Sequence, residues 1–186
     1  MPTIKGKDVE EIKMDTTTKE VKRVDVKGLA ICAMCIALTY VATAFINIRL
    51  PIQANGGLVH LGNVPLFVAA VIFGKKTGTA AGAIGMGLFD LLSGWVLWAP
   101  FTFVIVGCMG FVVGAITEKH KGFGWCVLAM AAALLIKIGG YYIAEVIIYK
   151  NWVAPVASIP GNIVQIVCGA VIALPIIEVL KRVIKK

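Results

Sequence analysis

Charged residues are scarce in this chain beyond its first 27 positions. Over the whole chain, charged residues make up only 15% of the 186 residues, whereas 59% of the residues are apolar. A soluble domain usually carries about 25% charged residues. Together with a mean hydropathy of +0.91, this scarcity excludes an ordinary soluble domain and predicts an integral membrane protein.

Motifs for catalysis and for nucleotide binding are also missing. The run Gly74-Lys75-Lys76-Thr77 resembles the end of a phosphate-binding loop, but Ala69 occupies the place of the earlier glycine. No nucleophile has a nearby base, and the five cysteines all fall in apolar stretches, where they are expected to pack as small side chains. These absences argue against a membrane enzyme or an ATPase, so any uphill transport would need an ion gradient or a partner subunit.

The few charges divide the chain into apolar stretches that approach the length of a membrane span, about 20 residues. The 21 uncharged positions between Lys27 and Arg49 predict the first span. Residues 61–73 form a short second stretch after a segment rich in helix-breaking residues. The 41 positions between Lys76 and Glu118, where Asp90 is the sole charge, suit a third and a fourth helix.

Residues 121–150 and 150–178 supply the fifth and the sixth stretch. We therefore predict an all-α membrane protein, a six-transmembrane-helix bundle at residues 26–183, preceded by a polar cytoplasmic tail at residues 1–25. The tail carries charges where the apolar core of a cleavable signal peptide should begin, so we expect no such peptide.

The basic residues predict the orientation. Nearly all of them lie at the tail, in the loops near residues 75 and 120, and at the end of the chain, whereas the opposite loops hold only Arg49 and Lys150. Because cytoplasmic loops are enriched in lysine and arginine, both termini should be cytoplasmic. The net charge of +8 then reflects topology, and no nucleic-acid partner is expected.

Small residues recur at helical spacing in several spans. They include glycine pairs at positions 78 and 82 and at 110 and 114, and an alanine stripe formed by Ala30, Ala33 and Ala37 on the first helix. Small residues let membrane helices approach closely. For the glycines we favour internal packing, while for the alanine stripe a docking face for a partner's helices stays an open alternative.

Polar residues inside the spans indicate the functional region, since a charge in the bilayer core usually faces a partner or a cavity. At a rise of about 1.5 Å per residue, Asp90 on the third helix and Lys137 on the fifth both lie about 20 Å from the cytoplasmic side. Tyr141 and Glu145 continue the face of Lys137 at steps of four, and Tyr142 lies beside them.

The sixth helix and the loops add further polar and aromatic residues at the same outer level. They are Asn162 and Gln165 on the helix, and Trp95 and His60 near the loop ends. Such a set is typical of a small-molecule pocket that opens outward. The competing interpretation is a structural pair of Asp90 and Lys137 surrounded by an interfacial belt of aromatic residues.

Several runs resemble the substrate-binding S component of energy-coupling factor (ECF) vitamin transporters. The resemblance covers residues 27 to 180 and rests on five runs: Ala33-Met34-Cys35-Ile36-Ala37, His60-Leu61-Gly62-Asn63-Val64-Pro65, Phe89-Asp90-Leu91-Leu92-Ser93-Gly94-Trp95, Trp98-Ala99-Pro100-Phe101-Thr102, and Pro160-Gly161-Asn162 with Gln165.

The resemblance implies six helices and a vitamin pocket near the outer face, capped by the loop between helices one and two. It also implies that this chain has no cofactor and no ATPase of its own. The chain would instead dock through Ala33 and Ala37 onto a transmembrane coupling subunit that carries two ATP-binding subunits. The localisation would be the plasma membrane of a prokaryote. Tyr141, Glu145, Asn162 and Gln165 become the ligand candidates by position, whereas Asp90 and Lys137 come from the depth argument alone.

The runs look most like the branch for riboflavin and for pyridoxine or hydroxymethylpyrimidine. Charges of both signs favour a neutral or zwitterionic heteroaromatic ring over a dianion, so a pyridoxine-like compound comes first and riboflavin next. A self-sufficient secondary transporter or channel is the alternative, but it would call for two similar halves or a continuous charged path, and neither is found in this sequence.

Overall fold

The computed structural model of the chain describes residues 25–49 and 58–184. The tail proposed for residues 1–25 lies outside the described residues except for Asp25, and so do the helix-breaking residues between positions 50 and 57. Asp25 caps the first helix, α1 (Val26–Phe45), by accepting a hydrogen bond of 3.0 Å from the Gly28 amide. Such a cap satisfies one of the amides that a helix start leaves without a partner.

A short antiparallel hairpin follows α1. Strand β1 (Asn47–Arg49) pairs with β2 (Leu58–His60), with Asn47 opposite His60 and Ile48 opposite Val59. The chain then enters α2 (Asn63–Phe73). The hairpin is a departure from the predicted all-α fold, in which this segment was only a loop.

A composite helix comes next, built from α3 (Lys75–Ala80), a π-helical segment (Ala81–Met86) and α4 (Gly87–Leu92). Gly74, with φ of +89°, provides the turn from α2, because that backbone conformation is strained for other residues. The π-helical segment packs against α1, where a Cβ atom on Gly85 would lie 2.8 Å from Thr39 Cβ. This close approach places α1 beside the middle of the composite helix.

Three long helices complete the fold. They are α5 (Ala99–Lys119), α6 (Phe123–Tyr149) and α7 (Ile159–Ile184), and a 3₁₀ turn (Ala154–Ser158) precedes α7. Their inner faces meet α2 in a core that includes Phe67, Val106 and Met109, all of them fully buried.

Glycines bring the composite helix and α5 into backbone contact. A Cβ atom on Gly110 would lie 2.2 Å from the Gly78 carbonyl oxygen, and one on Gly114 would lie 2.3 Å from Lys75 Cα. Similarly, a Cβ atom on Gly82 would lie 2.6 Å from the Val106 carbonyl oxygen. The glycine pairs therefore serve internal packing, as their spacing indicates.

Four helices in the described ranges are long and apolar enough to cross a membrane, which supports a helical membrane protein. They are α1, α5, α6 and the region Ala154–Ile184 that contains α7. Helix α2 has 11 residues, and the composite helix changes its hydrogen-bonding pattern midway. The count of six membrane spans and the orientation of the termini remain predictions.

Candidate functional site

Several polar residues of the bundle surround a small enclosed cavity beneath the hairpin. Its volume is about 20 Å³, and residues from α1, the hairpin, the composite helix, α5 and α6 surround it. The polar lining consists of Thr43, His60, Asp90, Thr102, Lys137 and Tyr141. Leu58, Met86 and Trp95 supply the apolar part of the wall.

Lys137 is the most deeply buried cation of this site, with 1% of its surface exposed. Its ammonium group donates a hydrogen bond of 2.8 Å to Gln165 Oε1 and lies 5.5 Å from the centre of the Tyr141 ring. Asp90, also buried, faces the same cavity from α4. A lysine and an aspartate in an apolar bundle are costly unless they are compensated, so this cavity is where the bundle accommodates charge.

Tyr141 occupies the cavity wall one helical turn beyond Lys137. Its hydroxyl shares a hydrogen bond of 2.9 Å with Thr102 Oγ1 of α5. Trp98 packs against the tyrosine ring, with 6.4 Å between the ring centres. The tyrosine ring is therefore held from two directions, which presents it to the cavity in a defined orientation.

The hairpin covers the cavity and is connected to its floor through one glutamine. Gln165 on α7 donates a hydrogen bond from Nε2 to the Leu58 carbonyl oxygen of β2, while its Oε1 accepts from Lys137. Asn63 at the start of α2 donates a long hydrogen bond of 3.5 Å to the Gln165 carbonyl oxygen. The buried cation and the hairpin backbone are thus linked by a single side chain.

His60 at the end of β2 faces the same space. Burial lowers the pKa of His60 to about 3, and the positive charge of Lys137 adds to the effect. Its Nδ1 accepts a hydrogen bond of 3.3 Å from the Gly62 amide. The imidazole is therefore neutral at physiological pH, and because Nδ1 acts as an acceptor, its Nε2–H can donate a hydrogen bond to a ligand.

A second polar group lies outward of the cavity, between α6 and the start of α7. Ser158 donates a hydrogen bond to Glu145 Oε1, and both side chains are buried. Asn162 on α7, four residues beyond Ser158, is also buried, and its Oδ1 finds no hydrogen-bond partner in the part of the chain that the structure describes. Neither Glu145 nor Asn162 lines the enclosed cavity.

The structure distributes the predicted site residues unevenly. Five of them line the cavity, namely His60, Asp90, Trp95, Lys137 and Tyr141. Gln165 supports the cavity from behind, and Glu145 and Asn162 form the outward group. Tyr142 points elsewhere, because its hydroxyl donates to the Trp152 carbonyl oxygen at 2.6 Å in an exposed region.

Four lining residues escaped the sequence analysis as site candidates: Thr43, Leu58, Met86 and Thr102. Thr43 carried a signal, since Thr39 and Thr43 are polar residues four apart on an apolar helix, and the structure buries both of them. Thr43 satisfies its own hydroxyl by donating to the Thr39 carbonyl oxygen at 2.7 Å. Leu58 and Met86 have no sequence signal, since apolar residues of this kind occur throughout the chain.

The chemistry of the lining suits reversible binding. An ammonium group, a carboxylate, a neutral imidazole and two hydroxyls can each hydrogen-bond a polar ring, while Trp95 and Tyr141 can pack against its faces. No cluster of three metal-ligating side chains occurs within residues 25–49 and 58–184.

A comparison with known families supports the same interpretation. The family model of the ECF-type riboflavin transporter S component matches residues 23–182. The chain belongs to this family. Its members are transport components, so a membrane location and a role in vitamin transport follow from the membership.

Two relatives of this S component show how far the similarity extends. A protein of Pyrococcus woesei, itself uncharacterized, is 32% identical over 135 residues, which cover 73% of this chain and 90% of the relative. The thiamine precursor transporter HmpT of Lactococcus lactis subsp. cremoris (strain MG1363) is 28% identical over 158 residues. That alignment covers 85% of this chain and 90% of HmpT.

The alanine stripe of the S component lies on the outer side of α1. Ala30, Ala33 and Ala37 are all exposed, whereas Cys35 and Thr39 on the opposite side are buried. Only 17% of the most apolar stretch of α1 is buried, compared with 50% for α5. The stripe is therefore accessible from outside the bundle.

Proposed function

We propose that this S component is the membrane-embedded substrate-binding subunit of an ECF-type importer for a single-ring heteroaromatic vitamin or vitamin precursor. Pyridoxine and hydroxymethylpyrimidine are the leading candidates, followed by riboflavin. The observation that carries the proposal is the enclosed cavity in which buried Lys137 and Asp90 meet His60, Tyr141 and Thr102.

The size and chemistry of the cavity favour a single ring. Its volume of about 20 Å³ is far below the range of about 300–1,000 Å³ that is usual for ligand sites, so any vitamin requires the hairpin and its neighbours to move. A three-ring flavin would demand a larger displacement than a pyridine or pyrimidine. The similarity to a thiamine precursor transporter supports the same choice.

The cavity can complement such a ring at several points. Lys137 can donate to a ring nitrogen or a hydroxymethyl oxygen, and Asp90 can accept from an amino or hydroxyl group. A ligand that binds Lys137 would alter the hydrogen bond between Lys137 and Gln165. Because Gln165 also bonds to the Leu58 carbonyl oxygen, this alteration would reach the hairpin. Glu145 and Asn162 would extend the site outward when the hairpin opens, since Asn162 Oδ1 is free to accept a hydrogen bond.

Energy would come from partner subunits. We expect the exposed stripe Ala30, Ala33 and Ala37 to contact a transmembrane coupling subunit that carries two ATP-binding subunits. Small residues favour such contact because they let helix backbones approach closely in lipid. The positive charge near residues 75, 120 and 181 would place both termini in the cytoplasm of a prokaryotic cell.

Mass spectrometry of the purified chain tests the proposal. The protein is isolated alone in detergent and denatured, and any released small molecule is identified. We expect stoichiometric pyridoxine or a pyrimidine precursor. Where the protein emerges empty, titration with pyridoxine, hydroxymethylpyrimidine, riboflavin and thiamine follows, and failure to bind any of the four would refute the proposed substrate class.

A further inference from the structure

A second concave surface lies at the opposite end of the bundle from the hairpin, where α6 begins and α7 ends. It is an open groove of about 410 Å³ between α2, the loop before α6 and the last turns of α7. This volume falls within the range of about 300–1,000 Å³ that is usual for ligand sites. Nothing in the vitamin-binding proposal uses this groove.

The polar side of the groove is positively charged. Lys121, Lys181 and Arg182 line it together with a single carboxylate, that of Glu178. Lys181 Nζ donates to Glu178 Oε1 at 3.2 Å and contacts Cys126 Sγ at 3.3 Å, so this carboxylate is already shared with one of the three cations. The lining keeps an excess of two positive charges.

The positions of these cations are partly set in advance. Lys121 Nζ donates to the Thr117 carbonyl oxygen at 3.0 Å, and Lys181 is held by its two contacts. Arg182 is exposed and can still place its guanidinium group. Cations that are held in place lose less side-chain entropy when an anion binds, and arginine can engage a phosphate through two parallel hydrogen bonds.

The start of α6 adds to the positive potential. Gly122 and Phe123 line the groove, and Gly122 offers no side-chain cap to this helix of 27 residues. No acidic residue occupies the first turn of α6. The partial positive charge of the helix start therefore adds to the charge of the cations that line the groove.

The other side of the groove is apolar. Val71 and Ile72 of α2, Phe123 of α6 and Ile184 of α7 line it. A free phosphate or sugar phosphate would leave these side chains uncovered, whereas a lipid would cover them with an acyl chain. The juxtaposition of clustered cations and an apolar wall at the end of membrane helices matches a phospholipid with an anionic headgroup.

We propose that the groove formed by α2, α6 and α7 binds one anionic phospholipid. Its phosphate contacts Lys121, Lys181 and Arg182, and an acyl chain lies along Val71, Ile72 and Phe123. The lipid would bridge the start of α6 and the end of α7, two helices that also carry Lys137 and Gln165.

Native mass spectrometry of the delipidated full chain tests this proposal. The protein is titrated with phosphatidylglycerol and, separately, with phosphatidylcholine of the same acyl chains. We expect one phosphatidylglycerol to bind at least tenfold more tightly than phosphatidylcholine. The double variant Lys121→Gln/Arg182→Gln should lose this preference, while Lys119→Gln should retain it, because Lys119 lies outside the groove.

Other outcomes would overturn the proposal. Equal binding of the two lipids would exclude a headgroup site, and an equal loss in Lys119→Gln would indicate diffuse surface charge rather than a groove. Displacement by glycerol phosphate at concentrations similar to those of the lipid would show a site for a free anion. Unchanged melting of the double variant in phosphatidylcholine confirms that the fold is intact.

Discussion

Single side chains on α6 have sharply different surroundings although they are neighbours in sequence. Tyr141 lines the cavity and bonds to Thr102, whereas Tyr142 bonds to the backbone of Trp152 outside it. Their contrast arises because adjacent helical positions point about 100° apart. The pair therefore offers a matched test of which side of α6 faces the ligand.

We predict that Tyr141→Phe weakens vitamin binding by about 1–3 kcal/mol, because it removes a hydroxyl from a buried polar cluster and leaves Thr102 without its tyrosine partner. Isothermal titration of the purified S component with its vitamin measures the loss. Tyr142→Phe removes the same atom outside the cavity and should leave the affinity unchanged. Equal effects of the two substitutions would contradict the proposed orientation of the site.

The proposed role of Gln165 leads to a kinetic prediction. Gln165→Leu keeps most of the side-chain volume but breaks the hydrogen bonds to Lys137 and to the Leu58 carbonyl oxygen. Because the hairpin is then less firmly held over the cavity, we expect the vitamin to dissociate faster, by about tenfold if one net hydrogen bond of about 1.4 kcal/mol is lost. Stopped-flow displacement measures the rate, and an unchanged rate would show that Gln165 does not secure the hairpin.

At the level of whole elements, the composite helix and α5 are joined through glycines rather than through large side chains. The pair Gly78 and Gly110 allows backbone contact that an added Cβ atom would block. Helix association in lipid depends on such close packing, since lipid tails are as apolar as the side chains. This interface supports Asp90 and Thr102, which lie on the two joined helices.

We predict that Gly110→Ala destabilises the protein by about 1–3 kcal/mol, because the new methyl group would lie 2.2 Å from the Gly78 carbonyl oxygen. Thermal unfolding in detergent, followed by circular dichroism, measures the change. Gly139→Ala is the matched control, since nothing lies within 4 Å of its added Cβ atom. A Gly110→Ala protein as stable as the control would show that the two helices can separate without loss.

The elements also show where prediction from sequence succeeds and where it stops. The apolar stretches anticipate α1, α2, α5 and α6 closely, since long uncharged segments strongly favour membrane helices. Helix α7 begins and ends later than the stretch predicted at residues 150–178. The hairpin and the π-helical segment were not anticipated. Both depend on contacts with other parts of the chain, such as the hydrogen bond from the Leu61 amide to the Ile46 carbonyl oxygen at 3.0 Å.

For the whole molecule, two surfaces carry separate roles in the proposed transport cycle. The cavity lies inside the bundle beneath the hairpin, while the alanine stripe lies on the exposed side of α1. Because the stripe and the cavity face in different directions, substitutions in one should not disturb the other.

Ala33→Trp and Ala37→Trp should abolish assembly with the energising subunits and leave vitamin affinity intact, because a bulky ring prevents close approach of a partner helix. Co-purification with the coupling subunit measures assembly, and titration measures affinity. Leu135→Trp on the exposed side of α6 is the control and should still assemble. Recovery of a complete complex with both alanine variants would exclude the stripe as the docking face.

The proposed topology can be checked on the intact cell. Single cysteines at positions 119 and 150, in a background without the native cysteines, are treated with a membrane-impermeant maleimide. We expect labelling at position 150 only, because the basic residues near position 119 should be retained in the cytoplasm. Labelling at position 119 alone would show that the protein has the opposite orientation in the membrane.

Composition and charge order alone determine that this chain is a helical membrane protein and where most of its helices lie. Insertion into a bilayer depends on transfer free energies summed along each segment, which are local properties of the sequence. Tertiary structure alone decides that Asp90, Lys137 and Tyr141 share one cavity with Thr43 and Thr102, while Tyr142 faces away. Those contacts depend on how distant helices rotate and pack against one another and against the hairpin, which no single segment of the sequence specifies.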